Sequence, residues 1–382
     1  MLIFAEITSI LAQMSSEHPI KKLLSKREQI GNIRRLGNFD SSLIDFSSND
    51  YLGLARSSEL KRLIIEDYQQ RSTLNGATGS RLLTGNTALF ETTEEYLASL
   101  FGYASTLIFN SGYMANLAFF SSVPQKGDTV LYDELSHACI KDGIRLSFAK
   151  KLPFRHNNLE DLQYKMKQAT GQVYVACESV YSMDGDLAPL AELALLCQQK
   201  GAFLIVDEAH STGIWGNKGQ GLVHELQLQE DVYAVIHTFG KAMGVHGASI
   251  SGSIDLKEFL INFSRPFIYT TAPSDFEVLA ITAAFEYLAC EPHRQTTLLH
   301  NIKHFNKLTG QQHLSAIKTL VIGGNENTKK VAIELQKSGF DVRPIVSPTV
   351  QTGTERLRIC LHSFNSEAEI SSLAEQLKKT SA

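Results

Sequence analysis

Three ionisable residues follow short apolar runs in the middle of the sequence, and together they could perform covalent carbonyl chemistry. Lys241 follows the run 233–237 among small residues, where loss of hydration would lower its pKa and free the amine to form a Schiff base. Asp207 ends the run 203–206, so its carboxylate needs a cation or hydrogen bonds. His210 lies three residues further and could contact the same ligand. The ordinary alternatives are a solvated lysine, an aspartate that caps a helix and a solvated or capping histidine.

Two further segments supply an anion site and a flat surface. Ser111, Gly112 and Tyr113 lie between a predicted strand and a predicted helix, where free backbone N–H groups bind phosphate and glycine permits close approach. An ordinary strand–helix turn is the alternative. His137 follows another predicted strand and could stack on a planar ring, or it could be a core or capping histidine. A phosphate cradle, an anion for a ring nitrogen and an amine for an aldehyde together match pyridoxal 5'-phosphate (PLP).

The elements that must position these residues are short apolar runs alternating with helical patterns. Strands are predicted at 105–109, 129–132, 173–177, 203–206 and 233–237, with helices such as 91–100 and 190–200 between them. This rhythm predicts βαβ units, and therefore an α/β fold with a mostly parallel central sheet flanked by helices. Ligands bind beyond the carboxyl ends of such strands, which is where the candidate residues lie.

The C-terminal part has a different pattern. Predicted helices at 281–288, 295–308, 327–338 and 366–379 enclose short strand candidates at 318–321 and 357–361. We therefore predict three parts: an N-terminal arm or helix at 1–45, a large PLP-binding α/β domain at 46–280, and a small α+β domain at 281–382.

Composition excludes several classes of protein. The 382 residues are 43% hydrophobic and 20% charged, with a net charge of −4, so there is no basic footprint for nucleic acid or for a membrane surface. Five cysteines without a C-x-x-C pair argue against disulfides and against a metal site. No signal-peptide pattern is present, and no apolar run approaches the ~20 residues that span a bilayer. A cytoplasmic protein is expected.

Several long motifs resemble those of the α-oxoamine synthases, which are fold-type I PLP-dependent transferases. The resemblance runs from about Asp45 to the C-terminal arginines. The motifs that carry it are DFSSNDYLGL (45–54), GSRLLTGN (79–86), NSGYMAN (110–116), SHA (136–138), SMDGD (182–186), VDEAH (206–210) and TFGK (238–241). The resemblance implies a decarboxylative condensation of L-alanine with a pimeloyl (6-carboxyhexanoyl) thioester of CoA or acyl carrier protein.

The resemblance also implies roles around the cofactor. Lys241 would hold PLP as a Schiff base and remove the substrate α-proton, Asp207 would keep the ring nitrogen protonated, and His137 would stack on the ring. His210 and Ser182 would lie near the ring hydroxyl.

Other roles concern the phosphate and the subunit boundary. Backbone amides of Gly112 and Tyr113 and the hydroxyl of Thr238 would bind the phosphate. Family members are homodimers with the site at the subunit boundary, so Thr270 or Thr271 would reach the partner's phosphate.

For the substrate, the resemblance implies that Arg358 grips a carboxylate, with Asn49 beside it and Thr349 in contact. The family's N-terminal arginine that contacts the acyl substrate has no assigned counterpart in this sequence.

Two alternatives stay open. One is a sister synthase that condenses glycine or serine with another acyl-CoA. The other is a PLP-bearing protein without catalysis. A transcriptional regulator would need an added DNA-binding module, for which the sequence shows no segment. An inactive relative should have lost Lys241, Asp207 or His137, and all three are present.

Overall fold

The computed structural model describes residues 18–37 and 40–380. In chain order the strands are β1 Ile44–Asp45, β2 Ser105–Phe109, β3 Thr129–Asp133, β4 Lys150–Phe154, β5 Val173–Glu178, β6 Phe203–Asp207, β7 Ala234–Thr238, β8 Ala248–Gly252, β9 Ile317–Val321, β10 Phe340–Asp341, β11 Arg343–Ile345 and β12 Arg356–Cys360. The helices are α1 Pro19–Gln29, α2 Ser58–Gln70, α3 Ala88–Phe101, α4 Gly112–Ser122, α5 Ala138–Leu146, α6 Leu159–Met166, α7 Leu190–Lys200, α8 Leu222–Glu225, α9 Ile254–Phe263, α10 Arg265–Ile268, α11 Asp275–Cys290, α12 His293–Thr309, α13 Asn325–Lys337 and α14 Glu367–Thr380.

A seven-stranded sheet has the spatial order β2-β8-β7-β6-β5-β3-β4. Strands β3 to β7 are joined by parallel pairs, whereas β8 runs antiparallel to both of its neighbours, β2 and β7. Strand β2 therefore runs in the same direction as β7, so the carboxyl ends of all the strands except β8 meet at one edge. The predicted α/β fold with a mostly parallel sheet is confirmed.

Both faces of this sheet are buried, which explains the continuous apolar runs in the sequence. Successive side chains of a strand point to opposite faces. Accordingly Ile205 belongs to a core cluster that contains Phe119 of α4 and Ile140 of α5. Its neighbours Leu204 and Val206 belong to a second cluster that contains helix residues of α6, α7 and α8.

Two strands of the sheet carry no apolar signal, and the sequence did not predict them. Strand β4 lies at the edge of the sheet, and Lys150 and Lys151 in it are exposed. Strand β8 is Ala-Ser-Ile-Ser-Gly and is fully buried, with its serine hydroxyls inside the protein. An edge position and a run of small residues both remove the pattern on which strand prediction depends.

The chain divides into two compact units, each built from separate stretches of sequence. One contains the described residues up to Ser47, Thr319–Ile359 and those from Ser372 onward; the other contains Ser48–Lys318 and Cys360–Ser371. In the first unit, β1 pairs in parallel with β10. The boundary predicted between 280 and 281 falls inside α11, and these units have other bounds; the three-part division stays a prediction. No helix among the described residues is long and apolar enough to cross a membrane.

Candidate active site

The predicted site residues of the larger unit follow strands whose carboxyl ends share one edge of the sheet. Strand β6 ends at Asp207 and β7 at Thr238, while β2 ends just before Ser111. His137 follows β3, and Lys241 lies three residues beyond β7. This edge is where open α/β sheets place their ligands.

A hydrogen-bonded chain begins at the predicted nucleophilic amine. Lys241 Nζ lies 2.9 Å from Nε2 of His210, and Nδ1 of His210 lies 2.8 Å from the hydroxyl of Tyr51. Since Tyr51 donates to Oδ1 of Asn49 at 3.0 Å, its oxygen accepts from the N–H at Nδ1 of His210. In a neutral ring Nε2 is then the acceptor that faces Lys241. Tyr51 has no exposed surface and His210 is 5% exposed.

Asp207 is a buried carboxylate held by two donors. Its Oδ2 accepts from Nδ2 of Asn116 at 2.7 Å, and its Oδ1 accepts the backbone N–H of Ala209 at 2.8 Å. No helix begins at Asp207 among the described residues, so the capping alternative is not observed. Asn116 is fixed in turn by a bond to the carbonyl of Gly112 at 3.0 Å.

The predicted phosphate cradle lies at the first turn of α4. Ser111 caps this helix, because its hydroxyl accepts the N–H of Met114 at 3.3 Å. A Cβ added to Gly112 would lie 2.2 Å from Oγ1 of Thr238. That Oγ1 is buried without a hydrogen-bond partner among the described residues. An unsatisfied hydroxyl facing a side-chain-free helix N-terminus is the environment that an anion requires.

Tyr113 directs its side chain elsewhere. Its hydroxyl donates to Asp142 at 2.7 Å, and this bond raises the pKa of Tyr113 and lowers the pKa of Asp142. The phosphate role predicted for Tyr113 concerned its backbone amide, which the side-chain bond does not involve.

His137 caps α5, as one of its alternatives stated. Its Nδ1 accepts the N–H of Cys139 at 3.2 Å, which places the proton of a neutral ring on Nε2. Burial lowers the pKa of His137, which favours that neutral form. The cap uses only the ring edge, so it is compatible with stacking of the ring on a planar ligand.

Glu178 is a site residue that sequence reasoning missed. It ends β5 directly opposite Asp207 of β6, and its Oε1 accepts the N–H of His137 at 2.6 Å. Burial, with the charge of Asp207 adding to it, raises the pKa of Glu178 to about 8. An acid that ends a buried strand, as Asp207 does, was the signal that could have revealed it. Asn116 belongs to the motif 110–116, but no pattern in the sequence predicts its bond to Asp207.

Three other predicted residues, Ser182, Thr270 and Thr271, lie in loops of the larger unit. Ser182 is buried in the turn that follows β5. Thr271 is exposed, and its carbonyl accepts from the side chain of Asn110 at 3.2 Å. Thr270 is half-buried. The role of both threonines at a partner's phosphate stays a prediction.

The predicted substrate residues Arg358 and Thr349 belong to the other unit. Arg358 is half-buried on β12, paired across the ladder with Arg343 of β11. Thr349 is exposed, and its hydroxyl accepts from the guanidinium of Arg34 at 3.4 Å.

The residues of the larger unit fit PLP. The buried carboxyl group of Asp207 suits a protonated ring nitrogen, and the Lys241 amine suits an aldehyde. The Thr238 hydroxyl, which has no partner within the described part of the chain, suits a phosphate. The chain belongs to the aminotransferase class I and II family, whose profile matches residues 41–377. The fold is that of fold-type I PLP-dependent transferases.

Individual relatives within this family include synthases and transferases of known activity. An 8-amino-7-oxononanoate synthase of Emericella nidulans is 36% identical over 387 residues, which cover 94% of this chain and 94% of the relative. A crystal structure of 8-amino-7-oxononanoate synthase from Francisella tularensis is 30% identical with a TM-score of 0.77, over 89% of this chain and 98% of that one. A serine palmitoyltransferase structure with PLP is 26% identical with a TM-score of 0.85, over 96% of this chain and 98% of that one.

Proposed function

We propose that the protein condenses L-alanine with a pimeloyl thioester to form 8-amino-7-oxononanoate, with release of carbon dioxide and the thiol carrier. The observation that carries the proposal is the series of hydrogen bonds from Lys241 through His210 to Tyr51, together with the buried carboxyl group of Asp207. The protein also matches a synthase of this activity over most of its length. The protein is accordingly a PLP-dependent acyltransferase of biotin biosynthesis.

PLP, when bound, supplies an electron sink that makes the loss of a proton or of carbon dioxide from the amino acid feasible. Lys241 would hold its aldehyde, and Asp207 would pair with its ring nitrogen. Gly112 and Thr238 would receive its phosphate, with Ser111 and the amide of Tyr113 in the same helix turn. His137 would stack on the ring, and His210 and Ser182 would contact the ring hydroxyl.

Lys241 is also the base. A lysine accepts a proton only when its amine is neutral, and the structure offers a route for the proton it must lose. His210 presents an unprotonated Nε2 to Nζ because its Nδ1 proton is committed to Tyr51. Asn49 accepts a hydrogen bond from the hydroxyl of Tyr51, and this bond sets which atom is donor and which is acceptor in the bonds from Tyr51 to Lys241.

Arg358 grips the substrate carboxylate, because a guanidinium pairs with a carboxylate through two parallel bonds. Asn49 and Thr349 contact the substrate. The assembly is a homodimer in the cytoplasm, with Thr270 or Thr271 reaching the partner's phosphate.

A sister activity with serine or glycine is the second candidate, because serine palmitoyltransferase structures superpose on this chain with TM-scores near 0.85. One methyl or hydroxyl group changes binding by only about 1–3 kcal/mol in a pocket. Release of CoA from pimeloyl-CoA should therefore be measured separately with alanine, glycine and serine. We expect alanine to give the highest kcat/KM; a preference for glycine with a short acyl-CoA would contradict the proposal.

A further inference from the structure

A second cluster of charges, centred on the half-buried His156, lies outside the groups assigned to the reaction. Nδ1 of His156 lies 2.9 Å from Oδ1 of Asp133, and Nε2 lies 2.6 Å from Oδ2 of Asp186. Carboxylates only accept hydrogen bonds, so both ring nitrogens must carry protons and the ring is charged. Burial lowers the pKa of His156, but its hydrogen bonds to the two aspartates outweigh burial and raise that pKa to about 10.

One of these aspartates closes the turn that carries Ser182. The carbonyl of Asp186 accepts the N–H of Tyr181 at 3.0 Å, and the N–H of Gly185 donates to the carbonyl of Tyr181 at 2.8 Å. Asn157 adds a bond from its Nδ2 to Oδ2 of Asp186 at 2.8 Å. The end of the turn is thus tied to two neighbouring side chains, at 156 and 157.

The other aspartate is the anchor of the cluster. Asp133 ends β3 and has no exposed surface. It accepts the N–H of Asn157 at 2.8 Å and the N–H of Leu135 at 2.8 Å, so the segment that leads to His137 depends on the same carboxylate. Two further groups contact His156. Oε1 of Glu134 accepts its backbone N–H at 3.2 Å, and the Tyr181 ring packs edge-on against the imidazole ring, with the ring centroids 4.4 Å apart.

The opposite side of the turn is closed by backbone. A Cβ added to Gly185 would lie 2.3 Å from the carbonyl oxygen of Ile317, so the turn rests against strand β9 and has no room to move in that direction. The His156 cluster and this contact both restrict the turn that carries Ser182.

We propose that His156 is a positioning residue that bridges Asp133 and Asp186 and thereby fixes the 181–186 turn, which holds Ser182 at the cofactor ring. The link from the turn to the cofactor rests on the proposed function, whereas the order of the turn itself does not. His156 acts through Asp186 and contacts no reacting group.

The test compares His156→Phe and Asp186→Asn with a matched control. His300→Gln is that control, because His300 also lies 2.6 Å from a carboxylate oxygen, on Glu367, but this pair is exposed. Amide hydrogen exchange is measured first on cofactor-free protein. We expect exchange at residues 181–187 to rise at least about tenfold in both test variants, as the loss of charged hydrogen bonds implies, and to stay unchanged in His300→Gln.

The second measurement is the pH titration of the visible absorbance band of the PLP-loaded protein. If the turn places Ser182 at the ring hydroxyl, the midpoint shifts in both test variants and not in the control. Unchanged exchange overturns the proposal, and so does faster exchange with an unshifted midpoint. Should His156→Phe lose its overall secondary structure, Asp186→Asn decides alone, since asparagine fills the same space. If the wild-type protein acquires no visible absorbance band with PLP, the proposed function is contradicted. The exchange measurement on cofactor-free protein still tests whether His156 orders the 181–186 turn.

Discussion

Asp207 and Glu178 end neighbouring strands in register, but the two carboxyl groups have different hydrogen-bond partners. Asp207 accepts two hydrogen bonds, from Asn116 and from Ala209, which stabilise an anion. Glu178 is fully buried beside that anion, and burial raises its pKa to about 8. Glu178 therefore keeps its proton to a higher pH than an exposed glutamate does, while its Oε1 accepts the amide N–H of His137.

The raised pKa of Glu178 makes a prediction about stability. The folded state binds this proton more tightly than the unfolded state, so its contribution to stability is complete below about pH 4.5 and is lost as the pH rises to about 8. Glu178→Gln keeps an oxygen acceptor for His137 but cannot ionise. We expect the variant to lose part of the fall in the free energy of unfolding between pH 5 and pH 8, by a few kcal/mol at most.

Urea unfolding of cofactor-free protein at both pH values measures this difference. Some pH dependence should remain, because burial also raises the pKa of Glu208 to about 8. Glu95→Gln, at an exposed position on α3, is the control and should keep the wild-type dependence. A Glu178→Gln variant with the full wild-type fall would show that this carboxyl is already ionised in the fold.

At the residue scale the sequence predicted the groups that stand out chemically. Lys241, Asp207 and His210 are polar residues just after apolar runs, and the structure brings Lys241 and His210 into contact. Glu178 was missed because the predicted strand 173–177 stopped one residue short of it. Asn116 lies inside a helix, so its bond to Asp207 becomes visible only when α4 packs on the sheet.

At the scale of elements, the start of α4 decides whether the cradle exists. The sequence analysis put Gly112 between the strand and the helix, whereas the helix begins at Gly112 and so includes the glycine in its first turn. Strands β4 and β8 were not predicted, because an edge strand and a small-residue strand lack an apolar run. The order of the sheet also depends on pairings between distant segments, which local patterns do not encode.

Gly112→Ala tests the cradle directly. The new methyl group would overlap Oγ1 of Thr238, so either the helix start or the threonine must shift away from the phosphate position. We expect affinity for PLP to fall at least about tenfold, the equivalent of one lost hydrogen bond to a charged group, with little change in thermal stability. Equilibrium titration of cofactor-free protein with PLP measures the affinity.

Gly76→Ala is the matched control for that titration, because a Cβ there would meet no atom of residues 18–37 or 40–380 within 4 Å. Its PLP affinity should equal that of the wild type. A Gly112→Ala variant with wild-type affinity would mean that the phosphate binds elsewhere on the protein.

At the scale of the whole molecule, composition and motifs predicted the class of protein, and the family match confirms it. The grouping of N-terminal residues with the segment 319–359 was not predictable. This grouping depends on the pairing of Ile44 with Phe340. The bond between Arg34 and Thr349 joins residues that are even further apart in the sequence. Contacts of that kind arise from folding of the complete chain rather than from local propensity.

The central claim is that one amine, that of Lys241, holds the cofactor. Borohydride treatment of the PLP-loaded protein makes the bond between cofactor and amine permanent, and peptide mass mapping then locates it. Lys318 is the informative rival, because burial lowers its pKa to about 7 and a neutral amine reacts with aldehydes. We predict stoichiometric labelling at Lys241 and none at Lys318; label on any other lysine, or no label at all, would contradict the account.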